Sequence, residues 1–309
     1  MARAVFTTKL SAAYDDVPEE FYHFPRTYLR TVESTVGDTI IYYEPRRASA
    51  DLSSRGGRQS YFAIAQVKDI KPDQKAEGLF YALIDSPTYL SFDTPVPFRG
   101  PGGTYETQLT REDGGTSKGA FGRAVRSISE TEFQAIVSAG FREDPWDTSP
   151  PAEPAIQPGP GVQEEPAAFL RPMVEQTSLR PFRDIAFRRA VRRAYDNRCA
   201  LTGLALVNGG GRPEVQAAHI KPVAHAGPDS IRNGLALSGT MHWLFDRGLI
   251  TVDEGWKIHL AEEAVPAPVR GLLNPDGGLR VPADSSDWPH PLFLKHHREV
   301  VAAGKAWLG

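Results

Sequence analysis

A proline-rich segment near the middle of the chain limits how the rest can fold. Residues 143–172 read EDPWDTSPPAEPAIQPGPGVQEEPAAFLRP. Pro, Gly, Glu and Gln dominate this segment, and its apolar residues show neither helical nor strand periodicity. Such a segment cannot bury enough apolar surface to offset the entropy lost on ordering, and its prolines favour extended conformations. We therefore predict an interdomain linker at residues 143–180, between an N-terminal domain at residues 1–142 and a C-terminal domain at residues 181–309.

The composition fits two globular domains. The chain has 309 residues, 40% of them hydrophobic, enough for a core in each domain. Its apolar runs are short, and the N-terminus has no apolar stretch followed by a cleavage site, so we expect a cytoplasmic protein with no membrane partner. The single cysteine, Cys199, excludes an internal disulfide and a four-cysteine zinc site, and is typical of a small buried residue.

The N-terminal domain is predicted to be mostly β. The segments DTIIYYEPRR, SYFAIAQVKDI and LFYALIDSPTYLSF are rich in β-branched and aromatic residues and are separated by Gly, Pro, Asp and Ser. One helix is predicted from Ser129, a capping residue, to Phe141, just after Gly140. These signals indicate an α+β protein whose N-terminal domain is a small barrel or a strongly curved sheet.

The C-terminal domain opens with a helix that carries many arginines. Small and apolar residues recur on one side, and four arginines occupy the other: Arg188, Arg189, Arg192 and Arg193. The net charge of the whole chain is only −3, so any attraction to nucleic acid must be local. A solvated basic face is the ordinary interpretation of such a run. Phosphate contact becomes the better one if a phosphodiester site lies nearby.

Residues 217–250, AAHIKPVAHAGPDSIRNGLALSGTMHWLFDRGLI, contain the densest group of chemically useful side chains. The pattern predicts a strand that ends before Pro222, an irregular turn, a strand at residues 234–238 and a helix capped by Thr240 and stopped by Gly248. His242 and Asp246 are four positions apart on that helix and therefore share a face.

Each of these residues also has an ordinary explanation. A lone histidine at a strand end, such as His219, is more often structural, and Asn233 lies in an Asn-Gly dipeptide that is common in turns. Pairs such as His242 and Asp246 are often exposed hydrogen-bonded side chains. Histidine is nevertheless the side chain whose pKa suits a general base near neutral pH. The joint spacing favours a catalytic site.

The order His219, Asn233, His242, with CALTG upstream and FDRGLITVD downstream, resembles the HNH endonucleases of the ββα-metal type. The AHIxP, NGLxL and HxxFDRGLI strings resemble the branch attached to restriction endonucleases, over residues 183–301. This resemblance implies a hairpin and a helix that grip one metal ion.

Carried onto this sequence, the resemblance gives each residue a role. His219 would deprotonate the attacking water, Asn233 would brace the hairpin and orient that histidine, and His242 and Asp246 would hold the ion. Backbone contacts to DNA are expected from the four helical arginines and from Lys221 and Arg247.

Ala218 departs from the family pattern, because many members carry a His or Asp metal ligand immediately before the general base. The motif would then supply two ligands, with water, a DNA phosphate or Gln216 completing the shell. Magnesium tolerates a water-rich shell, whereas a tight zinc site needs more protein ligands. We expect Mg²⁺ or Mn²⁺ and no structural zinc.

The N-terminal segments YHFPRTYLRTVESTVGDTIIYYEPRR and GRQSYFAIAQVKDI loosely resemble small β-barrels of the PUA superfamily, including EVE-like readers of modified bases. The resemblance implies an aromatic pocket for a flipped base, for which Tyr22, Phe24, Tyr42 and Tyr43 are suitable. Aromatic residues in strands are also common as core or cross-strand pairs.

Together these features predict a metal-dependent DNA endonuclease that restricts double-stranded DNA containing methyl- or hydroxymethylcytosine. A homodimer is expected if both strands are cut. Two alternatives stay open: an inactive HNH-fold binding protein, favoured by Ala218, and an HNH nuclease that acts on unmodified DNA or on RNA.

Overall fold

The computed structural model describes residues 1–8, 17–46, 57–141, 177 and 180–302. The predicted linker falls almost entirely outside these described residues. Among them, the chain forms a large N-terminal sheet, a long connecting helix and a C-terminal region of small hairpins and helices.

The N-terminal sheet has seven strands in the order β2–β5–β4–β3–β1–β9, with β6 also paired to β4. Strands β1 and β3 run parallel and the other pairs are antiparallel. No pairing between described residues joins β2 to β9, so within these residues the sheet is not closed and the predicted PUA-like barrel is not confirmed. The strands are β1 (Arg3–Thr7), β2 (Phe21–Pro25), β3 (Thr39–Glu44), β4 (Ser60–Pro72), β5 (Leu79–Ile84), β6 (Leu90–Pro97) and β9 (Val125–Ile128), with a small hairpin of β7 (Arg99–Gly100) and β8 (Gly103–Thr104) after β6.

Both faces of this sheet are buried, and the aromatic residues predicted to form a base pocket lie in its cores. Tyr22, Phe24 and Tyr42 pack together on one face, whereas Tyr43 packs on the other. Their relative exposures are 2%, 0%, 0% and 1%, and the hydroxyl of Tyr22 donates to the backbone oxygens of Thr7 and Ala124. The four rings stabilise the sheet and do not line a common open pocket, because successive strand residues point to opposite faces.

Helix α3 (Glu130–Gly140) covers one face of the sheet, close to the predicted range. Its N-cap, Ser129, forms a capping box with Glu132, and Phe133, Ile136 and Val137 face the sheet. Two shorter helices, α1 (Leu29–Glu33) and α2 (Lys118–Phe121), lie between strands.

Helix α4 (Arg180–Ala194) connects the sheet to the C-terminal region. Ala186 packs into the same core as α3, while Phe187 and Val191 belong to the C-terminal core. One apolar side of the predicted amphipathic helix therefore contacts both parts of the molecule.

The C-terminal region follows the predicted order of strand, turn, strand and helix. Its elements are β10 (Gln216–His219), β11 (Gly234–Leu237), α5 (Gly239–Asp246), β12 (Ile250–Val252), β13 (Ile258–Leu260), α6 (Ala267–Arg270) and α7 (Pro291–His296), which continues as a π-helix (His297–Val301). Helix α5 starts two residues earlier than predicted, with Ser238 and not Thr240 at the N-cap. Cys199 is buried, as expected.

Within the described ranges, no helix combines the length and the apolarity that crossing a bilayer requires.

Candidate active site

His219 is the last residue of β10 and lies between a helix and a loop. Its ring stacks on Phe187 of α4, with ring centroids 3.9 Å apart and planes 13° from parallel. Its Nε2 atom is 2.9 Å from Oδ1 of Asp229, and its side chain is 17% exposed. One ring edge is thus fixed by the protein while the residue stays accessible to solvent.

Gly234 pairs with His219 across the hairpin and lets α4 approach closely. A Cβ atom at this position would be 2.4 Å from Cγ2 of Val191 and 3.1 Å from Cζ of Phe187, so a larger residue would push the helix away. The sequence suggested a turn role for the Asn-Gly dipeptide, but Gly234 has extended backbone angles. Its role is to bring Phe187 against the candidate base.

Asp229 is a buried carboxylate that no local sequence pattern distinguishes. Its side chain is 1% exposed, and its Oδ2 accepts from Nε of Arg183 at 2.8 Å and from Nη1 of Arg180 at 3.2 Å. Burial by itself raises the pKa of this carboxyl, but the His219 hydrogen bond and the two arginine charges outweigh burial and lower it. Asp229 is therefore ionised at neutral pH.

Asn233 is fully buried and ties together the loop between β10 and β11. Its Oδ1 accepts from the backbone N–H of Lys221 at 2.8 Å, and its Nδ2 donates to the backbone oxygens of Lys221 and Pro228 at 3.0 and 2.9 Å. This geometry matches the expected bracing of the hairpin. Asn233 orients His219 only through the adjacent backbone, since its side chain makes these bonds and none to the imidazole.

His242 and Asp246 meet on one face of α5. Nε2 of His242 is 3.4 Å from Oδ2 of Asp246, and the two side chains are 23% and 53% exposed. Nδ1 of His242 is 2.8 Å from Oε1 of Gln216 on β10. Two ligands that each bind one ion at about 2.1 Å lie at most about 4.2 Å apart, so the His242 and Asp246 atoms fit a shared divalent cation.

The described residues contain no cluster of three or more His, Cys, Asp or Glu side chains suited to a metal ion. Ala218 explains part of this: it lies on the same face of β10 as Gln216 but is fully buried in the C-terminal core. A ligand at position 218 would need space that apolar packing now fills. The candidate protein ligands are therefore His242 and Asp246, with Gln216 beside them.

Strand alternation separates the candidate base from the candidate metal ligands. His219 faces α4, whereas Gln216 faces α5, and within the described part of the chain no hydrogen bond or ion pair joins His219 to His242 or Asp246. A bound phosphodiester would therefore have to lie between His219 and the pair formed by His242 and Asp246.

A cleft of about 540 Å³ opens beside Gln216, the neighbour of His242. It is bounded by α4, by the loop at residues 206–215 and by the first residues of β10. Three arginines line it, Arg188 and Arg192 from α4 and Arg212 from the loop, and Gln216 connects it to the candidate metal site. The cleft therefore presents three cations, together with the carboxylate of Glu214, beside the side chain that contacts His242.

Arg189 and Arg193 differ from the expectation of DNA contact. Nη1 of Arg189 is 3.6 Å from Oδ2 of Asp93, and Nη1 of Arg193 donates to the backbone oxygen of Asp93 at 2.6 Å and to the hydroxyl of Thr94. These two arginines face the N-terminal sheet, because they lie on another side of α4 from Arg188 and Arg192. They hold the helix to β6.

The remaining predicted DNA contacts are near the surface. Lys221 is partly exposed at the start of the β10–β11 loop. Arg247 is exposed at the end of α5, and its guanidinium lies 4.2 Å from the ring centroid of Trp243. Trp243 is 51% exposed, whereas the neighbouring Leu244 and Phe245 are buried.

The chain matches the HNH endonuclease family model over residues 199–253, which includes His219, Asp229, Asn233, His242 and Asp246. This segment is an HNH endonuclease domain. HNH nucleases generally depend on a divalent metal ion. No curated protein matches the chain.

The solved structures that are similar to this chain include two restriction endonucleases. One is a structure described as "Modification dependent TagI restriction endonuclease", with 14% identity over 95% of this chain and 80% of that one and a TM-score of 0.31. The other is the "Type IV phosphorothioation-dependent restriction endonuclease ScoMcrA", with 13% identity over 78% of this chain and 52% of that one and a TM-score of 0.20.

Proposed function

We propose that this protein is a divalent-metal-dependent DNA endonuclease of the restriction type. The observation that carries the proposal is the HNH match at residues 199–253. Within this segment, His219 contacts Asp229 and stays partly exposed, and the neighbouring helix α5 carries His242 and Asp246 on one face. The arginine-lined cleft next to Gln216 suits a polyanionic substrate.

In the proposed reaction, His219 takes a proton from water. The water oxygen bonds to the scissile phosphorus, the bond from phosphorus to the 3′ oxygen breaks, and that oxygen takes a proton from solvent. His242 and Asp246 would hold the ion, which when bound stabilises negative charge on the phosphate and on the leaving oxygen. Asn233 keeps the loop closed, and Arg188, Arg192 and Arg212 bind backbone phosphates.

We further propose that the N-terminal sheet region selects the DNA, with methyl- or hydroxymethylcytosine as the favoured target. Support comes from the sequence resemblance to modified-base readers and from the direct packing of the sheet on α4. The buried aromatic residues of the sheet are not part of this proposal. Cutting both strands would require two copies of the chain or two successive events.

The first experiment is a cleavage panel on the full chain. Duplexes of one sequence carrying cytosine, methylcytosine or hydroxymethylcytosine, and the matching RNA, are incubated with Mg²⁺ or Mn²⁺. We expect metal-dependent cleavage that is faster on modified DNA. Equal rates on the three duplexes would contradict selection of a modified base, and binding without any cleavage would favour an inactive HNH-fold binding protein.

The base assignment is tested by His219→Ala, which we expect to lower kcat by about 10²- to 10⁴-fold while DNA binding and Tm stay close to wild type. A matched control is His259→Ala, because His259, a partly exposed residue of β13, also pairs with a carboxylate, Asp253, at 2.8 Å. Wild-type turnover by His219→Ala would refute the assignment.

A further inference from the structure

The loop between β10 and β11 contacts the N-terminal sheet beside the candidate base. The backbone N–H of Asp229 donates to the oxygen of Tyr89 at 3.2 Å, and the N–H of Ser91 donates to the oxygen of Asp229 at 3.1 Å. The N–H of Ile231 donates to Oγ of Ser91 at 3.2 Å. Asp229 is thus aligned in parallel with Leu90, at the start of β6.

The carboxylate of Asp229 joins the sheet to His219. Its Oδ1 contacts Nε2 of His219, and its Oδ2 accepts from Arg183, whose Nη1 and Nη2 also donate to the backbone oxygens of Thr88 and Tyr89 at 3.0 and 2.7 Å. Arg183 is itself buried. The position of the carboxylate is consequently set by the backbone that leads into β6.

An ionised carboxylate can only accept hydrogen bonds, so the proton on the neutral His219 ring must be on Nε2. Nδ1 then carries the lone pair that can take a proton from water. Stacking on Phe187 fixes the plane of the ring, and the Asp229 hydrogen bond fixes its rotation within that plane. Both conditions are needed for a general base whose basic nitrogen must face one water molecule.

We propose that Asp229 is a positioning residue for His219 and that the N-terminal sheet supports hydrolysis by holding Asp229. The proposal rests on the proposed nuclease function. A carboxylate that only neutralised Arg180 and Arg183 would not need to contact the imidazole, and the sheet would then affect stability but not the chemical step.

The main variant is Asp229→Asn in the full chain. The amide would turn its oxygen toward Arg183 and its N–H toward His219, which would move the ring proton to Nδ1 and remove the basic nitrogen from the water. We expect kcat to fall by about 10²-fold or more, with KM for DNA changed less than about twofold.

Asp93→Asn is the matched control, because Asp93 is a buried carboxylate at the same contact with α4 and its ion pair is with Arg189. We expect this control to keep the wild-type kcat. If Asp229→Asn and Asp93→Asn give the same kcat, the positioning role is overturned.

The role of the sheet is tested by Ser91→Ala, which removes the acceptor for the Ile231 N–H without touching a proposed catalytic residue. We expect kcat to fall several-fold with KM unchanged. An unchanged kcat would overturn the claim that the sheet supports hydrolysis.

Nitrogen-15 NMR of the histidine rings gives a readout that does not depend on activity. With the His219 signals assigned from a His219→Gln sample, we expect the Nε2–H tautomer in wild type and in Asp93→Asn, and the Nδ1–H tautomer in Asp229→Asn. An Nδ1–H tautomer in the wild-type protein would overturn the proposal even if Asp229→Asn failed to fold. If wild type cuts no nucleic acid, the proposed function fails, whereas the ring signals still report whether Asp229 orients His219.

Discussion

The candidate metal ligands illustrate how one neighbouring side chain can define the chemistry of another. Oε1 of Gln216 accepts from Nδ1 of His242, which leaves the Nε2 lone pair directed toward Asp246. Histidines that bind metals commonly donate their other N–H to such a partner, which fixes the tautomer and the ring orientation. Gln216 therefore supports the proposed site even if it does not bind the ion itself.

We predict that Asp246→Ala and Gln216→Leu both raise the Mn²⁺ concentration required for half-maximal cleavage, Gln216→Leu by about 10- to 100-fold. Asp246→Ala loses a direct donor, and Gln216→Leu loses the partner that orients His242. Metal titrations of cleavage and calorimetry of Mn²⁺ binding measure the effect. Glu262→Ala, at an acidic residue whose side chain is 79% exposed, is the control, and an unchanged metal requirement in Asp246→Ala would argue against the site.

At the scale of one secondary-structure element, the arginines of helix α4 form two pairs that face different parts of the molecule. Because residues four apart share a helical face, Arg188 and Arg192 face the cleft together, whereas Arg189 and Arg193 face β6 together. The four arginines look alike in the sequence, but two of them line a candidate phosphate surface and the other two make a contact inside the protein.

This division predicts different outcomes for two double variants. Arg188→Ala with Arg192→Ala should weaken DNA binding and lower the slope of log Kd against log salt by about one per lost phosphate contact, so by about two. Arg189→Ala with Arg193→Ala should keep the salt slope and lower Tm. Fluorescence anisotropy in EDTA at several salt concentrations, together with thermal melts, distinguishes the variants, and equal salt slopes in both would contradict the division.

At the scale of the whole molecule, buried polar contacts join the sheet to the C-terminal region. Glu19, which is fully buried, accepts from Oγ of Ser230 at 2.8 Å and pairs with Arg232 at 3.2 Å. Arg58 pairs with both Glu44 and Asp287. Contacts of this kind are costly to break on one side only, since the remaining charge stays buried without its partner.

We therefore predict a single cooperative thermal transition for the full chain. Glu19→Ala should reduce the free energy of unfolding by about 3–5 kcal/mol, because Arg232 and Ser230 lose a buried partner. Calorimetry on wild type and variant measures both effects. Two well-separated transitions in the wild-type protein would show that the sheet and the C-terminal region unfold independently.

The sequence by itself determined the local elements of this protein and the identities of its candidate catalytic groups. Helix periodicity and capping placed α3 to within one residue and α5 to within two, and motif spacing selected His219, Asn233, His242 and Asp246. These signals are local, because caps and periodicity act over a few residues and the HNH motif lies within one hairpin and one helix.

Only the tertiary structure decided which groups those residues contact. Asp229 has no distinguishing sequence signal, since its partners Arg183 and Tyr89 are distant in the chain and meet it only when β6, α4 and the loop pack together. In the same way, strand alternation predicts on which face of a sheet an aromatic side chain lies, but it does not predict what packs against that face. Long-range packing therefore decided that Tyr22 and Tyr42 are buried and that the described strands do not close into a barrel. A local sequence pattern does not encode such packing.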